Sequence, residues 1–295
     1  MPWGRILTAM VTPFTEDGKL DLDGAKQLAA YLVDHGSDGL VVAGTTGESP
    51  ALSHDEKIAL FRAVKEAVGG RAAVIAGTGT NSTAASIELS REAEALGVDG
   101  LMLVVPYYNR PSQEGLYQHF KAIAGAVSLP IILYNIPSRT GRNMEAATTL
   151  RLAEIKNIVA VKEASGDMDQ ATAIIKDAPP GFLLYSGDDS LTLPLMAVGA
   201  HGVISVASHV AGEKMQAMVR AFAGGDVAAA AALHRELFPL FKALFITSNP
   251  VPVKEALQML GLPSGPVRLP LVGANQAEKE KIAAALKEAG VLPAG

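Results

Sequence analysis

Short apolar runs alternate with longer amphipathic stretches over most of this chain. Eight runs read as strands: residues 6–13, 40–46, 72–79, 101–108, 130–137, 158–165, 182–189 and 203–208. Each is apolar without strict alternation, as expected of strands buried on both faces. The stretches between them place apolar residues at three- and four-residue intervals, the spacing of one helix face. Residues 22–36 form one such predicted helix. Residues 53–70 open on a Ser53…Glu56 capping-box pattern and close on glycines, and residues 82–97 follow the same design.

A local repeat supports this division. His35-Gly36-Ser37-Asp38-Gly39-Leu40 resembles Leu96-Gly97-Val98-Asp99-Gly100-Leu101, and Val198-Gly199-Ala200-His201-Gly202-Val203 follows suit. Each copy has one Gly where a helix stops and another where the next strand begins. Eight such β/α units in 295 residues predict an α/β fold, a (β/α)8 TIM barrel. The competing topology is an open doubly wound sheet, which the absence of GxGxxG in the first βα turn disfavours. After about Ala211 the pattern reads as helical only. The barrel is therefore assigned to residues 1–225, and a C-terminal helical extension packed on it to residues 226–295.

Composition narrows the function classes. Hydrophobic residues make up 49% of the chain and aromatics 5%, which suits helices packed on a parallel sheet better than a base-stacking surface. The net charge of −5 disfavours nucleic acid as a partner. There are no cysteines, so disulfides, thiolate catalysis and Cys-ligated metals are excluded. The six histidines (His35, His54, His119, His201, His209 and His234) fall in no metal-ligand spacing, so no metal is expected. The N-terminus lacks a signal-peptide pattern, and no apolar run is long enough for a bilayer. The expectation is a cytoplasmic protein without a membrane partner.

Catalysis in a barrel sits at the C-terminal ends of the strands. There the runs end in Gly44-Thr45-Thr46-Gly47-Glu48, Tyr107-Tyr108-Asn109, Tyr134-Asn135-Ile136-Pro137, Lys162-Glu163-Ala164-Ser165 and Ser186-Gly187-Asp188-Asp189. Lys162 interrupts an apolar run. A lysine inside a barrel strand gives up hydration, and a neutral amine can attack a ketone to form an imine. The competing reading is a strand-end lysine that snorkels to water or pairs with Glu163. Tyr134 ends the neighbouring run and offers a proton carrier, or simply a packed ring with a satisfied hydroxyl. The Gly44–Gly47 turn can hold a carboxylate on hydroxyls and backbone N–H groups, although many turns look alike. Arg139 can clamp a second carboxylate, or serve as a solubilising charge.

Taken in order, AMVTPF, GTTGES, IAGTGTNST, PYYNRPSQEGLYQHF, PIILYNIPSRTG, VAVKEASGD, YSGDD and GAHGVISV resemble the dihydrodipicolinate synthase / N-acetylneuraminate lyase family. The likeness runs from about Ile6 to the last helices. It implies that Lys162 forms a Schiff base with pyruvate, and that Tyr134 relays protons through Thr46 to Tyr108. Tyr108 is implied to reach across a tight dimer interface into the partner's site. Thr45 and Thr46 would hold the pyruvate carboxylate, and Arg139 the carboxylate of the aldehyde, aspartate-4-semialdehyde. The carbonyl of Ile204 and the Gly187 turn would line the pocket. The resemblance further implies a homotetramer made of two dimers. No cofactor is expected, because the protonated imine is itself the electron sink.

Within the family, Thr45 and Arg139 resemble the synthase branch, which serves the diaminopimelate route to lysine. A sialic-acid lyase usually has serine at the first position and lacks the arginine. Sugar-acid aldolases and a non-catalytic keto-acid sensor are the alternatives. His54 and Asn81 match an allosteric lysine site of the family, whereas Lys57 and Ala85 depart from it. The departures predict weak or absent inhibition by lysine.

Overall fold

The structure is a computed structural model that describes residues 3–293. Eight parallel strands close into a barrel in chain order. They are β1 (Ile6–Ala9), β2 (Gly39–Val42), β3 (Ala73–Gly77), β4 (Gly100–Val104), β5 (Ile131–Asn135), β6 (Ile158–Glu163), β7 (Leu183–Ser186) and β8 (Gly202–Ser205). The helices between them are α1 (Leu22–Asp34), α2 (His54–Val68), α3 (Thr83–Ala95), α4 (Gln113–Ala124), α5 (Pro137–Thr140), α6 (Ala146–Ala153), α7 (Met168–Asp177) and α8 (Thr192–Ala197). After β8 come α9 (Ser208–Ala223), α10 (Val227–Ala243), α11 (Val251–Met259) and α12 (Gln276–Glu288). The expected barrel is borne out. Among the described residues, no helix is long and apolar enough to cross a membrane.

Strand pleating sorts the apolar residues into two layers. Leu7, Val41, Ile75, Met102, Ile132 and Tyr185 fill the barrel interior. Their neighbours, among them Ile6, Leu40, Val74, Leu101, Ile131 and Leu184, pack outward against the helices. Both faces are therefore apolar, which is why the strand runs lack alternation. The repeat glycines have separate tasks. Gly36, Gly97 and Gly199 end helices with φ of +104°, +76° and +111°, where a side chain would be strained. Gly39, Gly100 and Gly202 open strands at close approaches. A Cβ at Gly100 would lie 2.6 Å from Trp3 Cζ2, and one at Gly202 would collide with the Arg5 carbonyl.

Two differences from the sequence reading stand out. The strands stop two to four residues before the apolar runs do, because residues such as Ala43 and Ile136 leave the ladder to line a cavity above it. The chain after Ala211 is also not helical only. Residues 260–275 form an irregular segment with Pro263, Pro266 and Pro270, and proline removes helical hydrogen bonds. The capping box is present: Ser53 Oγ accepts from Glu56 N at 3.2 Å, and Ser53 N donates to Glu56 Oε2 at 2.8 Å.

Candidate active site

Lys162 lies on β6 between Tyr134 of β5 and Tyr185 of β7. Two residues beyond the inward-facing Ala160, it also points into the barrel. It is 5% exposed, and its Nζ sits 4.3 Å from the centroid of the Tyr134 ring. Among the described residues this amine makes no ion pair or hydrogen bond. The pairing with Glu163 is absent, because Glu163 points to the opposite face. There the Glu163 carboxylate accepts from Asn135 Nδ2 at 3.1 Å, Ser165 N at 2.7 Å and Gln170 Nε2 at 3.1 Å.

A cavity of about 260 Å³ opens at the C-terminal ends of β2 to β5. Gly44, Thr45, Tyr107, Tyr134 and Arg139 contribute to its wall. Thr46, next to Thr45, is 3% exposed and turns its hydroxyl toward Asn249 Nδ2, 2.9 Å away. Arg139 lies on the exposed surface of α5, and its Nη2 donates to the Asn249 carbonyl at 3.4 Å. Tyr108 stands apart at 90% exposure with a φ of +72°. Gly187 N donates to the Glu163 carbonyl at 2.7 Å, and a Cβ at Gly187 would lie 2.5 Å from Ala164 Cβ. Ile204 is buried in the inner layer, opposite Leu7 of β1. The structure thus puts Thr45, Tyr134 and Arg139 on the wall of this cavity, with Lys162 beside Tyr134 on the next strand and Thr46 beside Thr45, and leaves Tyr108 facing outward. A larger cleft of about 410 Å³, lined by Arg5, Phe182 and His201, lies at the opposite end of the strands.

The family profile described as Dihydrodipicolinate synthetase family matches residues 2–289. The chain belongs to this family. It is 87% identical over 292 residues to the 4-hydroxy-tetrahydrodipicolinate synthase of Moorella thermoacetica, covering 99% of this chain and 100% of that one. The synthase of Desulforudis audaxviator is 60% identical over 290 residues, covering 98% and 99%. Among solved structures, that of the Cyanidioschyzon merolae DHDPS with lysine bound superposes with a TM-score of 0.97 at 49% identity, covering 98% and 99%. The family expectation is borne out.

The mouth of this family member is braced by groups that the sequence reading missed. Glu48 ends the Gly44–Gly47 turn with a φ of +55°. Its Oε1 pairs with Lys254 Nζ at 2.8 Å, both side chains being 2% exposed, and its Oε2 accepts from Arg268 N at 2.9 Å. Burial pushes the Lys254 ammonium down to about 8, opposed by Glu48. Lys254 Nζ and Arg268 Cζ each lie 4.2 Å from the Phe14 ring centroid. Arg268 also grips the Glu56 carboxylate, with Nη1 at 2.8 Å and Nη2 at 2.6 Å, which holds Glu56 down at about 2. On the other side, Asp189 accepts from Val206 N and Ala207 N at 3.0 and 2.9 Å and from Ser205 Oγ, tying the β7 loop to the β8 loop. Burial pushes its carboxyl upward while these bonds oppose the shift. Lys254 interrupts the apolar run Val251-Pro252-Val253, the same signal that marked Lys162. Asn249 carried no local signal.

The residues matching the family's lysine site lie on α2 and before α3. His54 Nε2 is 3.1 Å from the Glu92 carboxylate, and the Asn81 carbonyl accepts from Asn109 Nδ2 at 2.8 Å. His54 and Asn81 make no hydrogen bond to each other. Lys57 is half-buried, which lowers its pKa, and Ala85 is exposed.

Proposed function

We propose that this chain condenses pyruvate with L-aspartate-4-semialdehyde through a Schiff base on Lys162. The carrying observation is a buried lysine without an anionic partner at the C-terminal mouth of the barrel, over Tyr134. The synthase name carried by relatives at 87% and 60% identity supports the choice of reaction. The Lys162 amine adds to the ketone carbon of pyruvate, and water leaves to give the protonated imine. A methyl proton is then lost with help from Tyr134, leaving an enamine. The enamine carbon attacks the aldehyde, and the substrate amine closes the ring by displacing Lys162. The family resemblance implies Thr46 in the proton relay and both threonines on the carboxylate. We assign the relay hydroxyl to Thr45, which lines the cavity with Tyr134, and give Thr46 the carboxylate. The family resemblance supports assigning the Gly187 turn and the Ile204 carbonyl to the pocket lining.

Tyr108 reaches a partner's site in a homotetramer of two tight dimers; its 90% exposure beside the mouth supports this reading. The protein acts in the cytoplasm. The extension begins at residue 226, in the turn between α9 and α10. Lysine binds weakly, since exposed Ala85 supplies no carboxylate and Lys57 brings a second amine to the site. Calorimetry showing tight lysine binding would overturn that point. The decisive experiment is borohydride reduction with pyruvate followed by peptide mass mapping. The pyruvate adduct is expected on the Lys162 peptide and absent from Lys162→Ala. An unmodified Lys162 peptide refutes the reaction.

A further inference from the structure

Thr46 is held from the far end of the chain. Asn249, between α10 and α11, donates from Nδ2 to Thr46 Oγ1 at 2.9 Å, and the two residues are 6% and 3% exposed. The backbone carbonyl of Asn249 accepts from Arg139 Nη2 at 3.4 Å. One residue of the extension therefore touches the threonine assigned to the keto acid and the arginine assigned to the aldehyde.

A threonine hydroxyl has one proton and two lone pairs. The amide N–H fills a lone pair, so the Thr46 proton cannot point at Asn249 and is left for another acceptor. We infer that Asn249 is a positioning residue that fixes Thr46 as a donor toward the bound keto acid's carboxylate and steadies Arg139 beside it. The inference rests on the proposed Schiff-base reaction. The sense of the amide decides it. Asn249 Oδ1 is buried with no donor among the described residues. Turned round, the amide would take the Thr46 proton itself, and the hydroxyl would offer the carboxylate only lone pairs.

The test compares Asn249→Asp, Asn249→Ala, Thr46→Val and the double variant Thr46→Val/Asn249→Asp. KM for each substrate, kcat and borohydride trapping at saturating pyruvate are measured on each. The carboxylate of Asn249→Asp only accepts, so it captures the Thr46 proton. Pyruvate KM is expected to rise about ten- to hundredfold, the scale of one hydrogen bond to a charged group. Asn249→Ala leaves the hydroxyl free to turn and is expected to raise KM less. With Thr46→Val already in place, Asn249→Asp is expected to add under about threefold, because coupled residues are non-additive. Trapping at saturating pyruvate is expected to label Lys162 in every variant. A parental pyruvate KM in Asn249→Asp overturns the inference, since the amide would then present its oxygen. An undiminished effect in the Thr46→Val background also overturns it, since Asn249 would then serve folding alone. Failure to trap the parent protein sinks the Schiff-base reading instead.

Discussion

Replacing Lys254 by methionine should unfold this barrel more readily than any change at the protein surface. The side chain it removes is 2% exposed and lies 2.8 Å from Glu48 Oε1. At an effective dielectric of about 20, the Coulomb attraction over that distance is about 6 kcal/mol. Desolvating two ions costs several kcal/mol each, so the intact pair contributes little net stability. The balance changes once one partner is gone. Lys254→Met leaves the Glu48 carboxylate buried, with the Arg268 backbone N–H as its remaining donor. Breaking a buried pair in this way costs about 3–5 kcal/mol. With an unfolding entropy of about 2.1 cal/mol/K per residue, the 295-residue chain should lose roughly 5–8 °C in Tm. Calorimetry and urea denaturation at one protein concentration measure the loss. Glu48→Gln/Lys254→Met should recover most of it, because the amide still accepts from Arg268 and carries no charge. Parental stability in Lys254→Met, or a double variant no better than the single, refutes the reasoning.

Three further outcomes are expected. His209 is 1% exposed, with Nε2 accepting from Val11 N at 3.0 Å and Nδ1 bonded to the Val206 carbonyl at 2.8 Å, and burial pushes it down from 6.5 to about 4. Its folded pKa lies below its unfolded one, so its contribution is complete above pH 6.5 and is lost as pH falls through 4. The loss is about 3 kcal/mol, and urea midpoints between pH 7 and 4.5 should fall less in His209→Gln than in the parent; equal slopes count against it. Gly265→Ala should cost more than about 2 kcal/mol by thermal melt, because a Cβ at this φ of +63° would collide with the Phe14 carbonyl. Tyr134→Phe should lower kcat about 10²- to 10⁴-fold while pyruvate trapping persists; an unchanged kcat removes Tyr134 from the relay.

What could be read in the sequence depended on how local its cause was. A strand buried on both faces writes an apolar run into the chain, so all eight strands were legible. Their ends were not, because an apolar residue above the ladder serves the cavity as well as one within it serves the core. Val104 ends β4, yet the apolar run continues through Val105 to Tyr108. Lys162 was legible because a charge in such a run is costly without a purpose. Asn249 and Arg268 sit among turn residues and prolines, and their partners Thr46 and Glu48 come from the other end of the sequence. No window of residues contains that information.

The two halves of the mouth therefore need different explanations. Lys162 and Tyr134 are held by the barrel itself, on adjacent strands in register, and any sequence that closes the barrel places them together. The Gly44–Glu48 turn has no ladder to fix it. Thr45 and Thr46 lie beyond the end of β2, and Glu48 occupies a left-handed conformation that a free glutamate avoids. What holds that turn is Thr12, whose hydroxyl donates to the Gly47 carbonyl at 2.6 Å, together with the extension, through Asn249 on Thr46, Lys254 on Glu48, and Arg268 on Glu48, Ala51 and Glu56. An apolar contact there could slide. A buried carboxylate facing one ammonium and one N–H cannot move without losing a partner, so the extension's charges fix position more than they add stability. The reaction needs that precision, because a carboxylate-binding turn displaced by an ångström would hold the keto acid out of line with the amine.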